Sequence, residues 1–255
     1  WSSDVCSSDL TAKIYDVSQT GSDVKYASWI NTFSANWEPF LDEQSFILKY
    51  TWAVYHLNVG FITQFISTGL NCSGTANNLK LISGEKYCAV VRGYNKAMLY
   101  SERSSDCVLI DRDAPQAGAV NDGGSRDVSY QVDSTIVAAN WHGFTDGTKG
   151  SGIVEYKYKI TDSCGTAIVP WTSSKTAKSI IHTGLSLTMA EKYSVSVMAI
   201  DAVGLTAVAA SNGVIVAVGK KSNLCLFEHL NGAREVVKGA KSKSQCLFFH
   251  NPYML

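Results

Sequence analysis

The chain repeats itself, and the length of the repeat decides most of what it can fold into. Ser34-Ala-Asn-Trp-Glu-Pro-Phe-Leu-Asp42 lines up with Ala138-Ala-Asn-Trp-His-Gly-Phe-Thr-Asp146, and Asp23-Val-Lys-Tyr26 with Asp127-Val-Ser-Tyr130, both at a spacing of 104. Further on, Tyr50-Thr-Trp-Ala-Val54 matches Tyr156-Lys-Tyr-Lys-Ile160, and Leu81-Ile-Ser-Gly-Glu-Lys-Tyr87 matches Leu187-Thr-Met-Ala-Glu-Lys-Tyr193, now at 106, so two residues enter between the blocks. The match continues through Asn95-Lys-Ala-Met-Leu99 against Asp201-Ala-Val-Gly-Leu205 and closes with Asp106-Cys-Val-Leu-Ile110 against Asn212-Gly-Val-Ile-Val216. A unit of about a hundred residues is the size of an independent domain. With 45% of its 255 residues hydrophobic, the chain has enough apolar side chain for two cores.

Within each unit the period is two. Tyr193, Val195, Val197 and Ala199 alternate with Ser194, Ser196 and Met198, and Tyr156, Tyr158 and Ile160 alternate with two lysines. Such segments have one buried and one wetter face, which is the pattern of strands. Asn121-Asp-Gly-Gly-Ser125 and Asp146-Gly-Thr-Lys-Gly-Ser-Gly152 separate them with turn-forming residues. No run before residue 219 has helical period. The expected fold is all-β, two tandem immunoglobulin-like β-sandwiches.

At this point each unit resembles a fibronectin type III domain. That family places a Trp on its second strand, and Trp37 and Trp141 stand there. Its sixth strand opens with Leu-x-Pro-Gly-x-x-Tyr-x-x-x-Val-x-Ala-x-Asn. Leu81, Gly84, Tyr87, Val91, Gly93 and Asn95 follow that pattern in the first unit, and Leu187, Tyr193, Val197, Ala199 and Asp201 in the second. Ser83 and Met189 replace the Pro, and Ala190 the Gly. The resemblance covers about residues 12 to 218. It implies a core built on Trp37, Tyr50, Trp52, Tyr87, Trp141, Tyr156, Tyr158 and Tyr193, with Tyr87 and Tyr193 as tyrosine corners whose hydroxyls bind backbone upstream. Cys88 follows Tyr87 and so points outward, and a hairpin folding about Ala97 and Met98 brings it opposite Cys107. The two are a candidate disulfide, suited to an oxidising compartment, or two unpaired thiols. Asn71-Cys-Ser73 is an Asn-x-Ser/Thr triplet that a secreted chain would glycosylate at Asn71, or a chance occurrence.

The chemistry that is missing narrows the function. Lys plus Arg and Asp plus Glu both number 22, so no global field draws nucleic acid or an anionic surface. Apolar runs such as Gly213-Val-Ile-Val-Ala-Val218 are far shorter than the ~18 residues that span a bilayer. His56, His142, His182, His229 and His250 are scattered, and no zinc-protease, nucleophile-elbow or phosphate-loop motif is present. No catalytic residue, cofactor or metal is expected; Asp146 near His142 reads as turn polarity. Asp111-Arg-Asp-Ala-Pro115 joins the units, its Pro favouring an extended path. Its two carboxylates invite a calcium reading but are too few alone, and the family commonly carries an Asp here without metal.

Both ends break the pattern. Trp1 to Leu10 fits the codons TGG AGT TCA GAC GTG TGC TCT TCC GAT CT, which resemble a sequencing adapter translated in one frame; the alternative is a polar tail. On the first reading Cys6 drops out and the gene continues upstream of Thr11. In residues 219–255, Cys225-Leu-Phe-Glu-His229 recurs as Cys246-Leu-Phe-Phe-His250, four conceivable zinc ligands at a spacing unlike the common fingers. Gly219-Lys220 is also encodable by a splice-donor-like GGTAAG, so this tail is either disordered or not native coding sequence. The expected plan is an artefact over 1–10, sandwiches over 11–112 and 113–218, and the atypical tail. The resemblance implies a fragment of a larger extracellular or cell-surface protein that spaces, presents or binds protein partners through sheet faces or loops, with Asn95 to Ser101 and Asp146 to Gly152 as candidates. The other class is an accessory module of a secreted hydrolase.

Overall fold

The structure, a computed structural model, describes residues 12–17 and 23–217. The expectations for Trp1–Leu10, for Cys6 and for residues 219–255, including Cys225, His229, Cys246 and His250, lie outside the described residues. Every regular element among those described is a β-strand, and none of them is a helix long and apolar enough to cross a membrane.

The first unit contributes β1 (Ile14–Tyr15), β2 (Tyr26–Ala27), β3 (Phe33–Trp37), β4 (Ile47–His56), β5 (Gly60–Phe61), β6 (Ile66–Gly69), β7 (Ser73–Ala76), β8 (Lys86–Asn95), β9 (Tyr100–Ser104) and β10 (Val108–Ile110). The second contributes β11 (Ala119–Asp122), β12 (Tyr130–Gln131), β13 (Ile136–His142), β14 (Ile153–Thr161), β15 (Ala167–Lys175), β16 (Ser179–Thr183), β17 (Lys192–Asp201), β18 (Thr206–Ala210) and β19 (Val214–Val216). A three-stranded sheet β1-β3-β7 faces a larger one ordered β2-β10-β8-β4-β5, in which β6 also pairs with β4 and β9 with β8. The second unit repeats the plan as β11-β13-β16 against β12-β19-β17-β14-β15, with β18 on β17. The fold is thus two sandwiches in series. In both, the short strand carrying the matched tyrosine, Tyr26 or Tyr130, runs parallel to the last strand and gives that strand a second neighbour.

Alternation places the cores between the sheets. In the first, Trp37 packs against Tyr50 and Trp52 at centroid distances of 5.9 and 6.5 Å, over Phe33, Val54 and Val91. In the second, Trp141 meets Tyr156 at 5.8 Å over Val137, Ile160 and Val197, with Tyr158 buried in the same cluster. An aromatic ring of this size removes ~150–250 Å² from water, so each sandwich rests on two or three of them. Gly74 on β7 is fixed by this packing, because a Cβ there would overlap the Trp52 indole. The Tyr87 hydroxyl accepts the Ile82 N–H and the Tyr193 hydroxyl the Thr188 N–H, each at 2.9 Å and each five residues upstream.

Cys88 and Cys107 are joined by a disulfide. Cys88 does not point into solvent as its neighbour's placement suggested: it is buried. The register explains the pairing. β8 and β9 pair Val90 with Ser104, whereas β8 and β10 pair Tyr87 with Val108, a slip of one residue. Cys107, with φ of 73°, sits at the slip and falls opposite Cys88 in the second register. Gly213, φ 90°, holds the same place in the second sandwich, opposite Ser194.

Candidate functional site

Three of the buried polar residues, Asp111, Ser151 and Asp201, gather where the two sandwiches meet. β10 ends at Ile110, and Asp111 continues its path by donating its N–H to the Ala27 carbonyl at 2.8 Å. The Asp111 side chain is fully buried. Its Oδ1 accepts the Asp113 N–H at 3.2 Å, and its Oδ2 reaches the other sandwich to accept the Ser151 N–H at 2.6 Å. Asp113 itself turns back to accept the Ser83 hydroxyl at 2.7 Å, so the two linker carboxylates do not act together.

Ser151 lies in the loop between β13 and β14, which also carries Asp146. The Asp146 Oδ2 accepts the Gly152 N–H, and Gly150 is required because a Cβ would strike the Asp146 carboxylate and carbonyl. A bulge at the start of β14 then sets Ile153 opposite Asp201 at the end of β17. The Asp201 Oδ1 accepts the Val203 and Leu205 N–H groups at 2.9 and 2.8 Å. One carboxylate oxygen from each of Asp111, Asp146 and Asp201 lies within 4.8 Å of the other two. Asp146 Oδ1 and Asp201 Oδ2 are buried and have no hydrogen-bond partner. Burial, and then the carboxylates of Asp111 and Asp201, push the Asp146 carboxyl above its usual range. Asp146 is therefore no mere turn polarity, and His142, the last residue of β13, is exposed.

The same loop makes the outer contact of the junction. Lys149 Nζ sits 3.0 Å from Glu85 Oε1, and that ammonium, with the Asn58 amide, holds Glu85 below the usual carboxylate range. Gly84 accommodates the Lys149 stem, which a Cβ would meet at 2.8 Å. Of the two loops singled out in the sequence, Asp146 to Gly152 is thus engaged with the neighbouring sandwich. Asn95 to Ser101 is a hairpin tip, with Met98, Leu99 and Tyr100 exposed.

Beside that tip the outer face of the first sandwich carries a cluster that sequence reading passed over. The Arg92 guanidinium lies 3.7 Å from the Phe65 ring centroid and 4.8 Å from that of Tyr100, and its Nε donates to Glu102 at 2.7 Å. Phe65 packs at a tilt against Phe61, centroids 5.1 Å apart, and Phe61 is about half exposed. Asn71 is exposed between β6 and β7. Cys72 and Cys164 are free thiols.

No protein-family model matches the chain, and no curated protein does. Solved structures do. The A168–A170 domains of titin superpose with a TM-score of 0.53 at 16% identity, over 81% of this chain and 66% of theirs, so the chain spans just under two thirds of that fragment. The fibronectin(III)-like modules of Clostridium thermocellum CbhA give 0.40 at 13%, over 84% and 100%. The FN1–FN3 domains of chicken CNTN1 give 0.35 at 12%, over 74% and 65%. The last two scores are too low to argue from, and the first speaks to fold alone: β-sandwich domains in series.

Proposed function

We propose that the chain is a non-catalytic pair of modules from an extracellular or cell-surface protein, which sets the spacing of its neighbours and offers the outer face of the first sandwich to protein partners. The observation that carries this is the junction. Asp111 is bonded to Ser151, Glu85 is paired with Lys149, and the loop supplying both partners is the place where two residues were added to the second copy. A connector that only had to link two domains would not need these bonds. The Cys88–Cys107 disulfide supports an oxidising compartment, and the exposed Asn71 triplet fits one. Tyr158 and His182 share a hydrogen bond at 2.8 Å between β14 and β16, a contact that fits a structural role.

Two measurements test the reading. Residual dipolar couplings should fit one alignment tensor for residues 23–110 and 119–216, and two unrelated tensors would remove the spacing role. Peptide mapping of protein taken from its native source should recover Cys88 linked to Cys107. Free thiols at both would place it in a reducing compartment.

A further inference from the structure

We propose that Asp111, Asp146 and Asp201 hold a divalent cation, calcium by preference, between the two sandwiches. The inference goes beyond the module reading and stands or falls separately from it.

The repeat supplies the argument. Asp146 matches Asp42 of the first sandwich, and Asp201 matches Asn95. In the first copy the Asn95 Nδ2 donates to Asp42 Oδ2 at 2.9 Å, while its Oδ1 accepts the Leu99 N–H. In the second copy Asp201 Oδ1 accepts the equivalent Leu205 N–H, so the backbone role is kept. The position of the donating amide is taken by Asp201 Oδ2, an oxygen with no partner in a residue that is 1% exposed. Asp146 loses its donor with that change, and its Oδ1 is also orphaned. The linker then adds Asp111, which is 0% exposed. Where the first copy has one charge and an amide, the second has three carboxylates, and none of them is in an ion pair among the described residues.

Three clustered carboxylates repel one another, and the backbone N–H groups that bond them leave Asp146 Oδ1 and Asp201 Oδ2 without a donor; a cation removes both faults at once. The geometry suits calcium. Its oxygen ligands lie at about 2.3–2.6 Å, so two on opposite sides are about 4.6–5.2 Å apart; the three carboxylate oxygens lie within 4.8 Å of one another. Magnesium prefers to keep most of its water, and zinc would call for His or Cys, which the cluster lacks. A depression lined by Asp146, Gly147, Gly152 and Lys178 opens beside the cluster and leaves room for entry and for water ligands. The third ligand comes from the linker, so the ion would tie the first sandwich to the second.

The test is thermal unfolding of the chelator-stripped protein titrated with calcium chloride, and separately with magnesium chloride. Calcium should raise Tm by roughly 5 °C or more at saturation, and magnesium by less. Asp201→Asn restores the amide of the first copy; it should abolish the calcium shift and melt no lower than wild type in chelator. Asp16→Asn, in the other acidic cluster of Asp16, Asp23 and Asp106, should keep the shift. An unchanged wild-type Tm, or a shift that survives Asp201→Asn, overturns the proposal, and an equal magnesium response overturns the choice of ion. Should Asp201→Asn fail to fold, amide shifts of the wild type decide: calcium should move Asp111, Ser151, Gly152, Val203 and Leu205, and movement confined elsewhere counts against the site.

Discussion

Asp16 is the residue whose chemistry is furthest from ordinary. Its side chain is fully buried beside β8, its Oδ1 accepting the Ala89 N–H at 3.3 Å, and burial pushes its carboxyl up to about 7 despite help from Ser105 and Ala89. Asp23 and Asp106 face it and raise it further. In the second copy Asp122 is raised for the same first reason. The sign follows from linkage. Between about pH 4 and 7 folded Asp16 keeps a proton that the unfolded chain releases, so stability falls as pH rises through that window and levels off above it. Asp16→Asn should remove the fall. Measured by denaturant in chelator, the variant should gain on wild type between pH 5 and pH 8 by roughly 2.5 kcal/mol. Parallel curves would mean that Asp16 is ionised throughout. Nothing in the sequence marked this residue, because it stands alone in a short apolar stretch and its copy, Asp122, lies 106 positions on while the neighbouring block matches at 104. The shared bond from its own N–H to Asp23, repeated as Asp122 to Asp127, and the matched partners Ser105 and Ser211 show the two to be equivalent.

At the scale of strands, what was legible in the sequence was what alternation controls. Tyr156, Tyr158 and Ile160 on β14 and Tyr193, Val195 and Val197 on β17 could be assigned to the core face from period alone. The slip between β9 and β10 could not. Pairing Cys88 with Cys107 by symmetry about Ala97 and Met98 reached the right partner through a continuous hairpin that does not exist, since a one-residue bulge leaves no periodic trace. The cost of the slip differs between copies. Gly213 takes its positive φ freely, whereas Cys107 is an L-residue at 73°, a conformation that disfavours it by roughly 1–2 kcal/mol. The disulfide, closing residues 19 apart, offsets this with about 3 kcal/mol. Cys88→Ser with Cys107→Ser should therefore lower unfolding free energy by about 3 kcal/mol. Cys88→Ser with Cys107→Gly, which reproduces Ser194 and Gly213, should recover about 1 kcal/mol of that. Equal midpoints for the two double variants would show that position 107 relaxes out of its left-handed conformation.

For the whole molecule the question is whether two cores separated by a bonded junction unfold together. The repeat told of two sandwiches because each copy carries its own Trp and its own tyrosine corner. The junction was hidden because its parts, Asp111, Ser151 and Asp201, lie far apart in sequence and meet only through a bulge and a two-residue insertion. Energetically the junction is small. The Glu85–Lys149 pair has an exposed ammonium, so solvent screens it, whereas removing a core Trp costs roughly 3–5 kcal/mol. Against a domain stability of ~5–15 kcal/mol, Trp141→Ala leaves the second sandwich marginal or unfolded. The first contributes nothing to that core, since Trp37 and Trp141 belong to separate clusters. The variant should therefore melt in two steps, keeping the dispersed amide signals of residues 23–110 when those of 119–216 have collapsed. A single step with both sets lost together would mean that the junction couples the folding of the two sandwiches and outweighs what a screened surface pair and a few hydrogen bonds supply.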